Sequence, residues 1–272
     1  MVVSTLLADS VIVTCVWRLA YQVVNFMNKI ERTKEVLHSV SLKTRRAILF
    51  YSTGKDSVVA LDLMHEYFDE IICVFMYFVP NLEHINRWLK WAEVRYSKIK
   101  LVQVPHWNLS YVLRSGTFCV PNPNVKVFKV AHVDESMRLQ YGINWTFYGM
   151  KKADSMNRRL MLNTYENGIS DTNKVYPLHE WSNKEVLAYM KANKLPEPVR
   201  YSKNASGGVG FNIECYLWLK HNEPDDLQKM LKAFPLSEKI LFDFDIYKTR
   251  KQKQLGKKLT DDETLKYYRS EK

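Results

Sequence analysis

The chain has 272 residues, 46% hydrophobic and 25% charged, enough apolar surface for one large domain or a domain with an appendage, and this excludes disordered, collagenous and low-complexity classes. Lys and Arg outnumber Asp and Glu by 40 to 29, and the resulting charge of +11 points to an anionic partner. Four scattered cysteines (Cys15, Cys73, Cys119, Cys215) have neither zinc nor iron–sulfur spacing, so neither a disulfide framework nor an iron–sulfur cluster is expected, and a reducing cytoplasm fits.

Val11 to Met27 is apolar but interrupted by Arg18, Gln22 and Asn25, with Asp9 upstream and no basic segment before it. That pattern argues against a signal peptide or membrane span and for an amphipathic helix, buried or partner-binding. Residues 1–27 are read as an N-terminal extension. A helical pattern follows over Lys29–Ser41, then a basic linker, Lys43–Arg46. Ala47–Tyr51 is a continuous apolar run, as a buried parallel strand should be. Ser52–Ser57 is a turn and Val58–Tyr67 a helix. Ile71–Phe78 and Ile99–Val104 are strands ended by Pro80 and Pro105, with a helix over Asn81–Tyr96 between them. His106–Val130, with Gly116, Pro121 and Pro123, reads as a long loop. Val133–Tyr141 is a helix and Trp145–Gly149 a fourth strand. Alternation at this spacing predicts an α/β fold with a mostly parallel sheet. Further on, Ser182 and Glu185 have capping-box spacing, and Trp181 reads as a core aromatic.

Ser52-Thr53-Gly54-Lys55-Asp56-Ser57 sits between a buried strand and a helix, where turn amides and a helix N-terminus make an anion cradle. Gly54 allows close backbone approach, and Ser52 and Ser57 bring hydroxyls. Lys55 can neutralise phosphate, and Asp56 can cap the helix or hold a metal through water. It is not a Walker A loop. Leu49 stands where the first Gly is needed, and Asp56 follows the Lys. A second cluster, Gly149-Met150-Lys151-Lys152-Ala153-Asp154-Ser155 with Arg158-Arg159, sets four cations just past the fourth strand. Open α/β sheets bind ligands there.

Ser-x-Gly-Lys-Asp-Ser after the first strand resembles the PP-loop of the adenine-nucleotide α-hydrolase-like superfamily. The Gly149–Arg159 segment, Tyr176–Val186 (YPLHEWSNKEV) and Leu195–Tyr201 (LPEPVRY) resemble the phosphoadenosine phosphosulfate (PAPS) reductase and ATP sulfurylase branch. The resemblance covers about residues 45–215. It implies a Rossmann-like three-layer sandwich, a nucleotide-binding domain over 28–200, and family-like loop and helices over 201–246. It also implies ATP, or PAPS or adenosine phosphosulfate (APS), as substrate, with Mg²⁺ accompanying ATP. Ser52, Thr53, Gly54, Lys55, Asp56, Ser57, Gly149, Lys152, Asp154 and Ser155 would bind the nucleotide, and Lys55, Lys151, Arg158 and Arg159 would stabilise transition-state charge.

The chain departs from that pattern in several places. Phe78-Val79-Pro80-Asn81 replaces an Asp-Thr-Gly-type turn, so adenine or ribose recognition is expected to differ. Lys151 replaces an Arg, keeping charge but losing the fork. Glu214-Cys215 is followed by Tyr216 where cluster-free reductases have Glu-Cys-Gly-x-His, so Cys215 is either a reductive nucleophile or a core thiol. The leading expectation is nucleotidyl transfer with pyrophosphate release. Alternatives are sulfite-forming reduction using Cys215 and thioredoxin, a component of a nucleic-acid modification system, and a non-catalytic nucleotide-binding module. The 247–272 tail carries nine basic and four acidic residues and is either a solvated segment or a nucleic-acid arm. The oligomeric state stays open.

Overall fold

Among the described residues, five short strands form one sheet: β1 Arg46–Phe50, β2 Glu70–Tyr77, β3 Ile99–Pro105, β4 Thr146–Tyr148 and β5 Lys174–Val175, in the order β3-β2-β1-β4-β5. Every pair of neighbours runs parallel. The computed structural model describes residues 23–201 and 209–271; the expectations for residues 1–22 and for residues 202–208 of the family-like loop lie outside them. Along the chain the helices are α1 (23–41), α2 Lys55–Met64, α3 Glu83–Arg95, α4 Leu109–Ser115, α5 Val130–Tyr141, α6 Met156–Asn163, α7 Asn183–Ala192, α8 Ile213–Asn222, α9 Pro224–Ala233, α10 Glu238–Leu255 and α11 Asp261–Ser270.

The apolar runs of β1 and β2 follow from burial on both faces. Ala47 and Leu49 turn toward a layer containing α1, α2, α3 and α7, while Ile48 and Phe50 turn toward Met137 of α5 and Leu162 of α6. The molecule is therefore the α/β fold with a parallel sheet that the strand–helix alternation predicts, and the Rossmann-like three-layer sandwich that the family resemblance implies. The larger core continues through Cys215, Tyr216 and Met230 into α8 and α9. Ile213 and Leu217 of α8 then pack against Phe244 of α10, giving the helical C-terminal region. Among the described residues, no helix is long and apolar enough to cross a membrane.

Four local readings change. The stretch read as a long loop contains α4, closed by Gly116 at φ +75°, where a Cβ would come within 2.8 Å of Pro121. The breakers around that helix masked a seven-residue apolar–polar repeat. α2 begins inside the cradle motif, so Lys55, Asp56 and Ser57 are its first turn. β5, only two residues long, has too little sequence to show a strand period. α1 runs through the boundary placed at 27/28. Leu37 and Val40 are fully buried, and Phe26 meets Trp181 edge-on at 5.3 Å. The Trp181 indole donates to the Thr33 hydroxyl at 3.0 Å, fastening α1 to the segment after β5. Ser182 and Glu185 make the capping box that opens α7.

Candidate functional site

β1 leads to β2 on one side and pairs with β4 on the other, so the strand order reverses beside β1 and leaves a crevice at the carboxyl ends of β1 and β4. Ser52–Ser57 fills one side of it. Thr53 is buried and left-handed at φ 58°, a conformation that costs a β-branched residue about 1–3 kcal/mol. The turn is closed by Ser57, whose hydroxyl accepts from the Ser52 amide (3.2 Å) and donates to the Gly54 carbonyl (2.9 Å). Gly54 caps α2 with extended backbone and no side-chain cap. The amides of Thr53 to Ser57 consequently have no acceptor among the described residues. Five N–H groups at a helix N-terminus favour an anion, and the helix dipole adds to them.

The segment after β4 closes on this turn. A Cβ on Gly149 would lie 3.0 Å from the Asp56 carbonyl carbon and the Ser57 nitrogen, so only glycine permits that approach. Lys151 is completely buried, with its ammonium 2.7 Å from both Asp56 Oδ1 and Asp154 Oδ1. Asp56 Oδ2 accepts from Lys55 (2.8 Å), and Asp154 Oδ2 accepts from Arg158 (2.8 Å). The result is an alternating chain of five charges, Lys55–Asp56–Lys151–Asp154–Arg158, joining the first turn of α2 to α6. Burial would raise the Asp154 pKa, but hydrogen bonds from the Lys151 side chain and backbone, with the Lys151 and Arg158 charges, hold it below the usual carboxylate range. Ser155 caps α6 by accepting the Arg158 amide at 3.2 Å.

The remaining cations are disposed differently. Lys152 pairs with Glu180, and its amide donates to the His179 carbonyl at 3.0 Å. Arg159 is exposed, and its side chain has no partner among the described residues. Cys215 lies in the first turn of α8, where Asn212 accepts its amide at 2.9 Å. A helix N-terminus alone would favour a thiolate, yet Cys215 is fully buried, and burial pushes its thiol up to about 11.

Beside Ser52, a cavity of about 170 Å³ opens at the carboxyl ends of β2 and β3, walled by Met76, Phe78, Leu82, His106 and Val209. Phe78 and His106 stack at 4.6 Å, and burial lowers the His106 pKa. Sequence reasoning flagged Phe78 only as a departure and missed His106. Its position directly after a proline-ended strand was the available signal.

Residues 46–204 match the family model for the phosphoadenosine phosphosulfate reductase domain, more than half of the chain. The chain belongs to this family. It is thus a PP-loop-like adenine-nucleotide α-hydrolase domain. No curated protein matches it. Among solved structures, the PAPS reductase-family chain is similar to a U34-tRNA thiolase, NcsA, from Methanococcus maripaludis with its 4Fe–4S cluster, at 14% identity and TM-score 0.42, covering 78% of this chain and 79% of that one. It is also similar to a PAPS reductase from Candida auris in a phosphate complex, at 14% identity and TM-score 0.42, covering 61% and 81%.

Proposed function

We propose that this PAPS reductase-family domain binds ATP at the PP-loop and catalyses nucleotidyl transfer with release of pyrophosphate. The reading is carried by the row of unpartnered amides from Thr53 to Ser57 at the β1/β4 crevice. Phosphate oxygens would take those N–H groups, and the base would enter the Phe78–His106 cavity beside Ser52. An acceptor oxygen or nitrogen attacks the α-phosphorus, the bond to the bridging oxygen breaks, and pyrophosphate leaves with that electron pair. Amides and the Lys55 and Arg159 cations meet the charge that develops. Lys151 acts from inside, holding Asp56 and Asp154 so that the two halves of the crevice keep their spacing.

Among the described residues, no three His, Cys, Asp or Glu side chains gather as a metal site. Mg²⁺ suits this crevice as a passenger on the substrate's phosphates. Asp56, whose Oδ1 faces Lys151 and whose Oδ2 takes Lys55, is the carboxylate nearest the row of amides and would be the one to reach the metal through water. The metal would supply charge neutralisation on the phosphates. Reductive chemistry is less well supported, because a thiol near 11 is protonated at neutral pH.

The test is nucleotide binding by calorimetry with circular dichroism as the fold control. Gly54→Val puts branched bulk where even a Cβ would lie 3.2 Å from Ser52 Oγ, and Asp56→Ala breaks the charge chain. Each is expected to abolish ATP binding with the fold retained. Wild-type affinity in both variants would sink the assignment.

A further inference from the structure

A second concavity lies on the opposite side of the crevice from the Phe78–His106 cavity, beyond β5. It is a groove of about 450 Å³, within the range of small-ligand sites. Arg32 and Val36 of α1 form one wall, the chain after β5 including His179 forms the other, and Tyr165 and Ile169 line it between them. Lys152 also borders it. The Lys152 amide bonds the His179 carbonyl, so the groove begins one residue from Lys151 of the charge chain.

Three observations at this groove are not used by the PP-loop chemistry. First, four aromatic rings form a continuous stack. Phe50 and Tyr148 lie 4.8 Å apart at 6°, Tyr148 and Tyr176 5.5 Å at 21°, and Tyr176 and Tyr165 5.7 Å at 16°. The first three rings are buried, whereas Tyr165 is half-buried and lines the groove, so a further planar ring there would extend the stack. Second, His179 Nδ1 lies 3.0 Å from the Tyr176 carbonyl, which fixes the proton on Nδ1 and leaves Nε2 as an acceptor. Glu180 Oε1 lies 3.7 Å from Nε2, beyond hydrogen-bond reach. Third, the Arg32 side chain is exposed with no partner among the described residues. Lys29 by contrast is tied to Glu185 at 2.9 Å, and Lys152 to Glu180.

A stacking face, an acceptor for an amino or imino edge and a free guanidinium together suit a nucleotide. The +11 charge of the chain favours a polyanion over a lone mononucleotide. We propose that this groove holds one nucleotide of a single-stranded nucleic acid, with its base on Tyr165, its polar edge at His179 Nε2 and a phosphate at Arg32. The bound strand is the acceptor presented to the PP-loop. That acceptor role rests on the nucleotidyl-transfer reading, whereas the binding itself does not.

The experiment is fluorescence anisotropy of the full chain with short fluorescein-labelled single-stranded oligonucleotides, one arm DNA and one RNA, over a salt series. Calorimetric ATP titrations run in parallel. Tyr165→Ala is expected to weaken oligonucleotide binding at least about fivefold, while Tyr165→Phe keeps wild-type affinity. Arg32→Ala, a change on the exposed face of α1, is expected to weaken binding and lower the salt slope by about one, with ATP affinity unchanged. Arg32→Ala decides the matter if Tyr165→Ala does not fold. Absence of binding in both arms, or wild-type affinity in Arg32→Ala, would overturn the groove assignment. If the groove variants behave as expected but wild type binds no ATP, the PP-loop reading and the acceptor role fall while the groove stands.

Discussion

Lys151 is shut away from solvent between the carboxylates of Asp56 and Asp154, whereas Lys248 and Lys251, in the other basic stretch of the chain, sit partly exposed in pairs with Asp261 and Glu271. As sequence, the 149–159 and 247–272 segments look alike, each with an excess of Lys and Arg. In the fold, the first becomes a buried chain of alternating charges joining two elements of the crevice. The second becomes α10 and α11, laced by surface pairs that also include Lys257 with Glu263 and Arg269 with Glu214. Much of the tail's positive charge is therefore answered within the protein. The difference teaches that a basic cluster is informative only once its burial is known. A buried charge left without its partner is costly, and an exposed one is rehydrated.

Removing Lys151 should show the difference most strongly. Lys151→Met leaves two inward carboxylates without their shared cation, and the expected loss is about 3 kcal/mol of unfolding free energy, read as a lower urea midpoint. ATP affinity is expected to fall with it, because the tie between α2 and the β4 loop is gone. A stability change no larger than a surface substitution would break the comparison.

The Asp154 end of the chain predicts a pH dependence. Its folded-state pKa is depressed, so its stabilisation is fully present above the unfolded value of about 3.9 and is lost as pH falls through the lower folded value. Urea midpoints of wild type and Asp154→Asn should converge in strong acid and separate above about pH 4. A constant gap at all pH values would show that Asp154 acts by packing rather than by charge.

In the tail, Lys248→Ala and Lys251→Ala are each expected to cost less than about 1 kcal/mol in the same urea assay. Values matching Lys151→Met would mean that α10 and α11 hold their charges as tightly as the crevice does. The smallest effect is expected at Cys215. Cys215→Ser should leave ATP-dependent pyrophosphate release unchanged, and wild type should form no sulfite from PAPS with thioredoxin. Sulfite from wild type but not from the variant would establish a reactive thiol despite its burial.

The parts of the molecule legible without coordinates are those written in consecutive residues. β1 and β2 are unbroken apolar runs, the Ser52–Ser57 turn lies between a strand and a helix, and Ser182 and Glu185 have the spacing of a cap. Each is decided by contacts within a few residues, or by burial on both faces, which local composition reports. α4 escaped because its seven residues lie among prolines and glycines, and β5 because two residues show no period. The sequence likewise contained all the cations of the crevice but not their assignments. Whether Lys151 meets phosphate or carboxylate depends on Asp56, 95 positions away, and on Gly149 letting the two loops touch. The groove depends on Thr33 of α1 meeting Trp181, 148 positions on, and the burial of Cys215 depends on α8 closing against the main core. Composition and spacing determined the elements, and the resemblance of a few short motifs pointed to the family. Only the folded chain decided which charges are spent on each other and which remain free for a ligand, because that depends on the distance and dielectric between groups far apart in sequence.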